Sequence, residues 1–152
     1  MAFTAAEGSQ HLLDVFAESI GQLEYAVATL GEAYEMLDEY SGDRLEQQLF
    51  RPVQLALGRA KRTHAEFAGR RGLTSAAVPA RPAGAPSTGA KTLVKRAVDA
   101  VAAADGTLAT LQDSMLPVEV GDPQLRAGLA EVRELVGGLR AKAREFVRTL
   151  GR

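Results

Sequence analysis

The chain has 152 residues, of which 46% are hydrophobic and 24% are charged, and these values are typical of one globular domain. Its formal net charge of −1 gives no overall attraction to nucleic acid or to an acidic membrane. The absence of cysteine excludes disulfide bonds, thiolate catalysis and thiolate metal sites, which fits a cytoplasmic location.

Targeting and membrane signals are not apparent in the sequence. The N-terminal region lacks the basic and apolar parts of a signal peptide. No apolar run approaches the ~20 residues needed to cross a bilayer, so we expect no membrane span.

The first predicted helix covers residues 4–40. Apolar side chains recur at alternating spacings of three and four from Leu13 to Leu37, which places them along one face of a helix. Thr4 followed by Glu7 has the spacing of a capping box. The sequence therefore predicts a long helix that begins at Thr4.

The second predicted helix covers residues 43–70 and follows a turn at residues 41–43. Asp43 and Glu46 repeat the capping-box spacing, and the same apolar spacing continues through this segment. Pro52 lies inside the pattern and lacks a backbone N–H, so we expect a kink or a break there.

A linker is predicted over residues 72–89. This segment contains three prolines and three glycines and has almost no large apolar side chains. Such a composition is typical of a flexible or extended connection. Its length would let the chain cross the end of a helical bundle, or let two halves exchange between subunits.

Two further helices are predicted after the linker, over residues 89–116 and 122–151. Both carry the same alternating apolar spacing. Pro117 is expected to end the third helix. Asp122 followed by Pro123 is a favourable helix start, with Asp as the N-cap and Pro at the first helical position.

These elements predict an all-α fold, an antiparallel four-helix bundle within a single helical domain over residues 1–152. The bundle would consist of two helical hairpins, residues 4–70 and 89–151, joined by the linker. Residues 28–30 and 109–111 share the sequence Ala-Thr-Leu, which is a faint indication of internal duplication.

The charge pattern agrees with a duplicated hairpin. The net charge is −9 for residues 1–50, +9 for residues 51–96, −5 for residues 97–123 and +4 for residues 124–152. The sign therefore alternates roughly helix by helix. In an antiparallel hairpin this alternation would set an acidic helix beside a basic one, which favours one pairing over others.

The most basic stretch, residues 59–71, contains five cations and one acid. The alternation predicts acidic neighbours for it within the same chain. Nucleic-acid binding requires free basic surface, so we do not expect it here.

His64 is the most informative single residue. It lies on the apolar face of the second helix and should be level with Asp14 and Glu18 of the first. One interpretation is a half-buried histidine that pairs with Asp14 or Glu18 and sets the helix register. The other is a pH-sensitive or ligand-contacting site.

A metal site is a second hypothesis. Glu7, His11, Asp14 and Glu18 share one helix face, and carboxylate and imidazole groups bind divalent metals. The alternative is a solvated acidic surface, since one helix face rarely completes a coordination sphere. We expect no other metal and no cofactor.

Small residues are frequent in the second half of the chain. Ala90, Ala97, Ala104 and Ala143 lie on the apolar faces of the third and fourth helices. They favour either close helix packing or an apolar cavity for a small ligand.

No catalytic motif is evident, because the sequence lacks a phosphate-binding glycine loop, a nucleophile elbow and a plausible triad. We therefore interpret the chain as a non-enzymatic helical protein-interaction or scaffolding module that binds itself, as a homodimer, or another protein. Tyr25 and Tyr40 lie off the apolar face and are candidate interface anchors. The alternative is a small-ligand-binding or sensor bundle that uses the alanine-lined face and His64.

Overall fold

The computed structural model describes residues 4–74, 82, 83, 85 and 88–150. Every regular element in these ranges is helical, which confirms the all-α class. The elements are α1 (Ala5–Glu35), α2 (Glu39–Leu45), a π-helical turn (Glu46–Phe50), α3 (Arg51–Arg71), α4 (Ala90–Asp113), α5 (Leu116–Glu119), α6 (Pro123–Val136) and α7 (Leu139–Leu150). Five of them have twelve residues or more, so the predicted count of four helices is wrong.

The first helix begins as predicted. The hydroxyl oxygen of Thr4 accepts a hydrogen bond from the backbone N–H of Glu7 at 3.1 Å and caps α1. The following turn comes earlier than predicted, because Asp38 caps α2 by accepting a hydrogen bond from the N–H of Ser41 at 2.7 Å. The predicted turn at residues 41–43 is therefore wrong.

Gly42 accounts for this error. It lies buried inside α2, where an added Cβ atom would be 3.2 Å from Cε2 of Tyr34. The glycine lets α2 pack closely against α1 and does not turn the chain. Asp43 also lies within α2, so the capping box predicted for Asp43 and Glu46 does not begin a helix.

The expected kink at Pro52 takes the form of a π-helical turn just before the proline. The N–H of Arg51 donates to the carbonyl oxygen of Glu46, five residues earlier. The wider turn makes room for a proline ring that would clash with the carbonyl four residues before it in an α-helix. Phe50 keeps helical dihedral angles, so the chain continues into α3 without a break.

α4 ends at Asp113, earlier than predicted. The hydroxyl of Ser114 donates to the carbonyl oxygen of Leu111 at 2.6 Å, and Met115 takes a left-handed conformation with a φ of 66°. Pro117 then lies in the first turn of the short helix α5. It therefore begins a new helix, whereas we expected it to end the third one.

The start of α6 is confirmed, since Asp122 accepts a hydrogen bond from the N–H of Leu125 at 2.8 Å and Pro123 is the first helical residue. The single helix predicted over residues 122–151 is wrong. Gly138 has a φ of 77°, a left-handed conformation that glycine adopts without steric cost, and it separates α6 from α7.

Contacts between helices define their relative directions. Two helices are antiparallel when residue numbers rise along one of them while the numbers of the contacted residues fall along the other. The contacts are Leu13–His64 and Glu24–Lys61 for α1 with α3, Arg59–Glu131 and Arg70–Asp122 for α3 with α6, and Asp105–Arg133 and Asp99–Arg140 for α4 with α6 and α7. Each of these neighbours is therefore antiparallel.

α1 also packs extensively along α4, where the hydroxyl of Ser19 donates to the carbonyl oxygen of Ala104 at 3.2 Å. Because α3 and α4 are each antiparallel to α6, they are parallel to each other. The end of α3 and the start of α4 thus lie at opposite ends of the molecule, and the predicted linker joins them. Residues 75–81, 84, 86 and 87 of that linker lie outside the described residues.

Most of the predicted apolar faces form the core, in which Phe16, Phe67 and Phe146 are fully buried. Tyr34 and Met115 are exceptions and lie exposed, the first in the last turn of α1 and the second beyond the end of α4. Within the described ranges, no helix is both long enough and apolar enough to cross a membrane.

Candidate functional site

Cations of the basic stretch 59–71 have partners within the chain, as predicted. Arg59 lies 2.8 Å from Glu131, and Lys61 lies 3.5 Å from Glu24. The partners come mainly from the second half of the chain, whereas the first helix was expected to supply them. The stretch therefore helps to hold the two halves together.

The strongest of these contacts joins Arg70 to Asp122. Nε and Nη2 of the guanidinium donate to the two carboxylate oxygens at 2.8 and 2.9 Å. Hydrogen bonding from Arg70 lowers the pKa of Asp122 below its ordinary value, and the N–H of Leu125 lowers it further. The same carboxylate therefore caps α6 and fixes α6 to the end of α3.

His64 is buried and lies at the predicted level of α1. Its Nε2 is 3.0 Å from the carbonyl oxygen of Leu13, so Nε2 carries the proton and donates it in this hydrogen bond. Its ring meets the ring of Phe16 edge to face, with centroids 5.5 Å apart. The hydrogen bond shown goes to the backbone, while the predicted partners Asp14 and Glu18 are exposed on α1.

The acidic face at the start of α1 does not assemble a metal site. Glu7, His11 and Asp14 are exposed, and the carboxylate of Asp14 accepts a hydrogen bond from the amide of Gln10 at 3.0 Å. Among the residues that the structure describes, no group of three or more His, Asp or Glu side chains could hold a metal ion.

The two candidate interface tyrosines differ. Tyr25 is half-buried and packs against the core, whereas Tyr40 is 73% exposed. The guanidinium of Arg44 lies 5.9 Å from the centre of the Tyr40 ring. Of the two, Tyr40 is available for contact with another molecule.

The alanine-rich faces mainly pack closely. Ala97 and Ala104 are buried in the core, and the Ser19 hydrogen bond to Ala104 shows how near α1 comes to α4. Ala143 is also buried, but it borders a surface groove.

This groove, which we call the α4–α7 groove, lies between the first half of α4 and α7. It has a volume of about 490 Å³. Val94 and Val98 of α4, with Ala143 and Val147 of α7, form its apolar lining. A groove of this size with apolar walls is typical of a binding site.

Positive charge extends along the whole groove. Its lining includes Lys91 and Lys95 on α4 and Arg140, Arg144 and Arg148 on α7, together with one acid, Asp99, which pairs with Arg140. Successive cations on each helix are four residues apart, so they repeat about every 6 Å along one face. The groove therefore presents two rows of positive charge beside an apolar floor.

Part of this charge is not neutralised by the residues that the structure describes. Two of the five cations, Arg140 and Arg148, pair with carboxylates of α4 and α7. In the described part of the molecule, no carboxylate lies within ion-pairing distance of Lys91, Lys95 or Arg144. These three side chains are exposed and can contact an acidic partner.

The start of α4 strengthens the positive potential. Its N-cap is Gly89, which makes no side-chain cap, and its first turn holds Lys91 and no acid. The N-terminal end of a helix carries a partial positive charge, so Lys91 is unfavourably placed in the isolated chain. A negatively charged group bound here would remove that repulsion.

A second groove lies between α3 and α6 and is larger, at about 880 Å³. Its lining mixes Arg51 and Lys142 with Glu131 and Glu134. With two bases and two acids this lining has no net charge, so the groove does not select a partner of one charge, whereas the α4–α7 groove has five bases and one acid. The α4–α7 groove is therefore the stronger candidate.

Sequence reasoning did not identify the α4–α7 groove. The charge count placed Lys91 and Lys95 in a basic segment with α3, although they belong to the start of α4. That division concealed two basic helix faces at one end of the molecule. The spacing of four between cations on α4, and again on α7, was the signal that could have revealed it.

Comparison with known proteins adds no relative, since no protein-family model, curated protein or solved structure matches the chain.

Proposed function

We propose that this chain is a non-enzymatic protein-interaction module that docks an acidic amphipathic helix in the α4–α7 groove. The observation that carries the proposal is the combination of an apolar floor with two rows of regularly spaced cations. An amphipathic helix would place its apolar stripe on the half-buried Val147 and on the small exposed parts of Val98 and Ala143, since Val94 is fully buried. Acids spaced by four residues along its flanks would meet the cations of α4 and α7.

The distribution of charge favours a helix over a small molecule. A single carboxylate or phosphate group needs positive charge at one end of its pocket. Here the cations extend from Lys91 to Lys95 on α4 and from Arg140 to Arg148 on α7. An extended partner with several acids uses all of them.

Other parts of the proposal rest on the sequence and on helix directions. The antiparallel contacts of α1 with α3, and of α4 with α6 and α7, support a bundle of two hairpins. Internal duplication and a cytoplasmic location stay predictions, as does the lack of enzymatic activity. The buried His64, hydrogen-bonded to a backbone carbonyl, is compatible with a structural role.

A small anionic ligand is the second candidate function. The groove volume of about 490 Å³ lies in the range of ligand pockets, and Ala143 leaves space at its floor. The alanine-lined face that first suggested a ligand contributes less, because Ala97 and Ala104 are buried against α1.

A designed peptide tests the proposal. The probe is a fluorescein-labelled helical peptide of about 15 residues, with leucines along one face and glutamates at every fourth position beside them. Fluorescence anisotropy measures its binding. We expect saturable binding that weakens as salt is raised, because exposed charges are screened.

Charge reversal at the groove provides the decisive comparison. Lys95→Glu with Arg144→Glu should weaken binding by at least about tenfold, or ~1.4 kcal/mol. Arg96→Glu with Lys142→Glu changes the same charge on the same helices outside the groove, and should have little effect. Equal losses of peptide affinity in the two double variants would refute a specific site. Binding of a long-chain fatty acid with no binding of the peptide would favour the small-ligand candidate.

A further inference from the structure

We infer that the helix docked in the α4–α7 groove is the acidic corner of a second copy of this chain, so that the protein forms a symmetric dimer. This inference rests on the proposed function and names the partner. The acidic corner is the surface formed by the last turn of α1, the turn after it, and α2 (residues 32–45). Its apolar, charge and positional features each match the groove.

The acidic corner exposes large apolar side chains. Tyr34 is 41%, Met36 is 44% and Tyr40 is 73% exposed, and the three lie within seven residues of one another in the sequence. Clusters of exposed aromatic and methionine side chains typically mark interaction sites. They would pack on Val147 and on the edge of Val98 at the groove floor.

The corner is also strongly acidic. Glu35, Glu39 and Asp43 are exposed, and none of them forms an ion pair within the described ranges. Glu39 and Asp43 are four residues apart on α2, which matches the spacing of the groove cations. The acids of the corner and the cations of the groove that have no ion-pair partner among the described residues are therefore opposite in charge and similar in spacing.

Arg44 does not weaken this acidity, although it is the one basic residue among residues 1–50. Its Nη1 donates to the hydroxyl of Thr149 at 2.6 Å, and its guanidinium carbon lies 5.5 Å from the centre of the buried Phe146 ring. The positive charge thus lies between α7 and the exposed Tyr40 ring, whose centre is 5.9 Å away, and the exposed acids Glu35, Glu39 and Asp43 keep the net charge of the corner negative.

The position of the two surfaces favours a closed dimer. Contacts of Arg44 with α7 place the corner beside the C-terminal half of that helix, and the groove lies on α7 as well, with Val147 and Arg148 in its lining. Because α7 separates the two surfaces, the corner contacts the groove of another copy. A corner–groove contact joins two different surfaces, so it closes at two copies when a two-fold axis forms both contacts at once, and this is the arrangement that we infer.

The experiment is a charge-swap measured by sedimentation velocity with full-length protein. The groove variant is Lys95→Glu/Arg144→Glu, and the corner variant is Glu39→Lys/Asp43→Lys. We expect the wild type to be a dimer and each variant alone to be a monomer, with dissociation constants raised at least ~tenfold. Mixed in equal amounts, the variants should dimerise again, because both corner–groove contacts regain opposite charges.

Control variants carry the same charge changes elsewhere, namely Arg96→Glu/Lys142→Glu for the groove and Asp14→Lys/Glu18→Lys, two exposed acids four residues apart on α1, for the corner. They should remain dimers, and circular dichroism should show that all variants are folded. Dimers that persist in both charge-swap variants, or variants that fail to dimerise on mixing, would overturn the inference. A wild-type monomer whose groove still binds the acidic probe peptide would overturn the dimer alone and leave the proposed function standing.

Discussion

The close approach of α3 and α6 at Gly128 provides a sharp test of the fold. An added Cβ atom at Gly128 would lie 2.3 Å from Oγ1 and 2.4 Å from Cγ2 of Thr63. These distances are far below van der Waals contact, so Gly128→Ala must displace α6 from α3 or twist Thr63 out of its rotamer. We predict that the substitution destabilises the protein.

The magnitude follows from two opposing effects. Overpacking of a core contact costs about 1–3 kcal/mol, and here three side-chain atoms of Thr63 lie within 2.9 Å, which favours the upper half of that range. Replacing glycine by alanine inside a helix stabilises it by about 1 kcal/mol. We therefore expect Gly128→Ala to lower the free energy of unfolding by about 1–2 kcal/mol.

Urea unfolding followed by circular dichroism measures this change, at one protein concentration in high salt so that self-association contributes little. Gly58→Ala is the matched control, since Gly58 lies on α3 with nothing within 4 Å of its added Cβ. It should gain about 0.5–1 kcal/mol. If Gly128→Ala is as stable as Gly58→Ala, the described packing of α3 on α6 is incorrect.

The remaining predictions concern the two ends of α6, at its N-cap Asp122 and at Gly138. Asp122→Asn keeps a good N-cap but loses the charge pair with Arg70, and should cost about 0.5–1 kcal/mol at pH 7. Because the folded-state pKa of Asp122 is lowered, this stabilisation is present above the ordinary aspartate pKa of about 3.9 and is lost as the pH falls through the lower folded-state value. Urea unfolding at pH 7, 5 and 2.5 should therefore show the two proteins converging at the lowest pH, and a constant difference would contradict the assignment. Gly138→Ala should cost about 1–2 kcal/mol by the same measurement, because Gly138 has a φ of 77°; no loss would show that α6 and α7 can join as one helix.

The parts of the fold predicted correctly from sequence depend on local interactions. The helices follow from apolar spacing, and the caps at Thr4 and Asp122 depend on residues within three positions. The errors involve two glycines whose roles the apolar spacing does not reveal. Gly42 looks like a turn residue but packs on Tyr34 inside α2, whereas Gly138 breaks a helix that the apolar spacing predicted to be continuous.

The candidate site was less accessible to sequence reasoning. Alternating segment charges predicted partners for the stretch 59–71 from the first helix, and Lys61 has one in Glu24, whereas Arg59 and Arg70 pair with Glu131 and Asp122 in the second half of the chain. Counting charge by segment also concealed the groove. Lys91 and Lys95 were counted with the basic second helix, although they lie on α4 opposite the arginines of α7. Which helix faces meet depends on the packing of whole helices, and periodicity within one helix does not contain that information.

Photo-crosslinking from the acidic corner tests the central claim most directly. Tyr40 is replaced by a photoreactive phenylalanine analogue, and this protein is mixed with isotopically labelled wild type before irradiation. We predict crosslinked peptides that join position 40 of one copy to residues 91–98 or 140–148 of the labelled copy, and fewer of them with labelled Lys95→Glu/Arg144→Glu protein. Crosslinks confined to the same chain, or to other surfaces of the second copy, would contradict the docking of the corner in the α4–α7 groove.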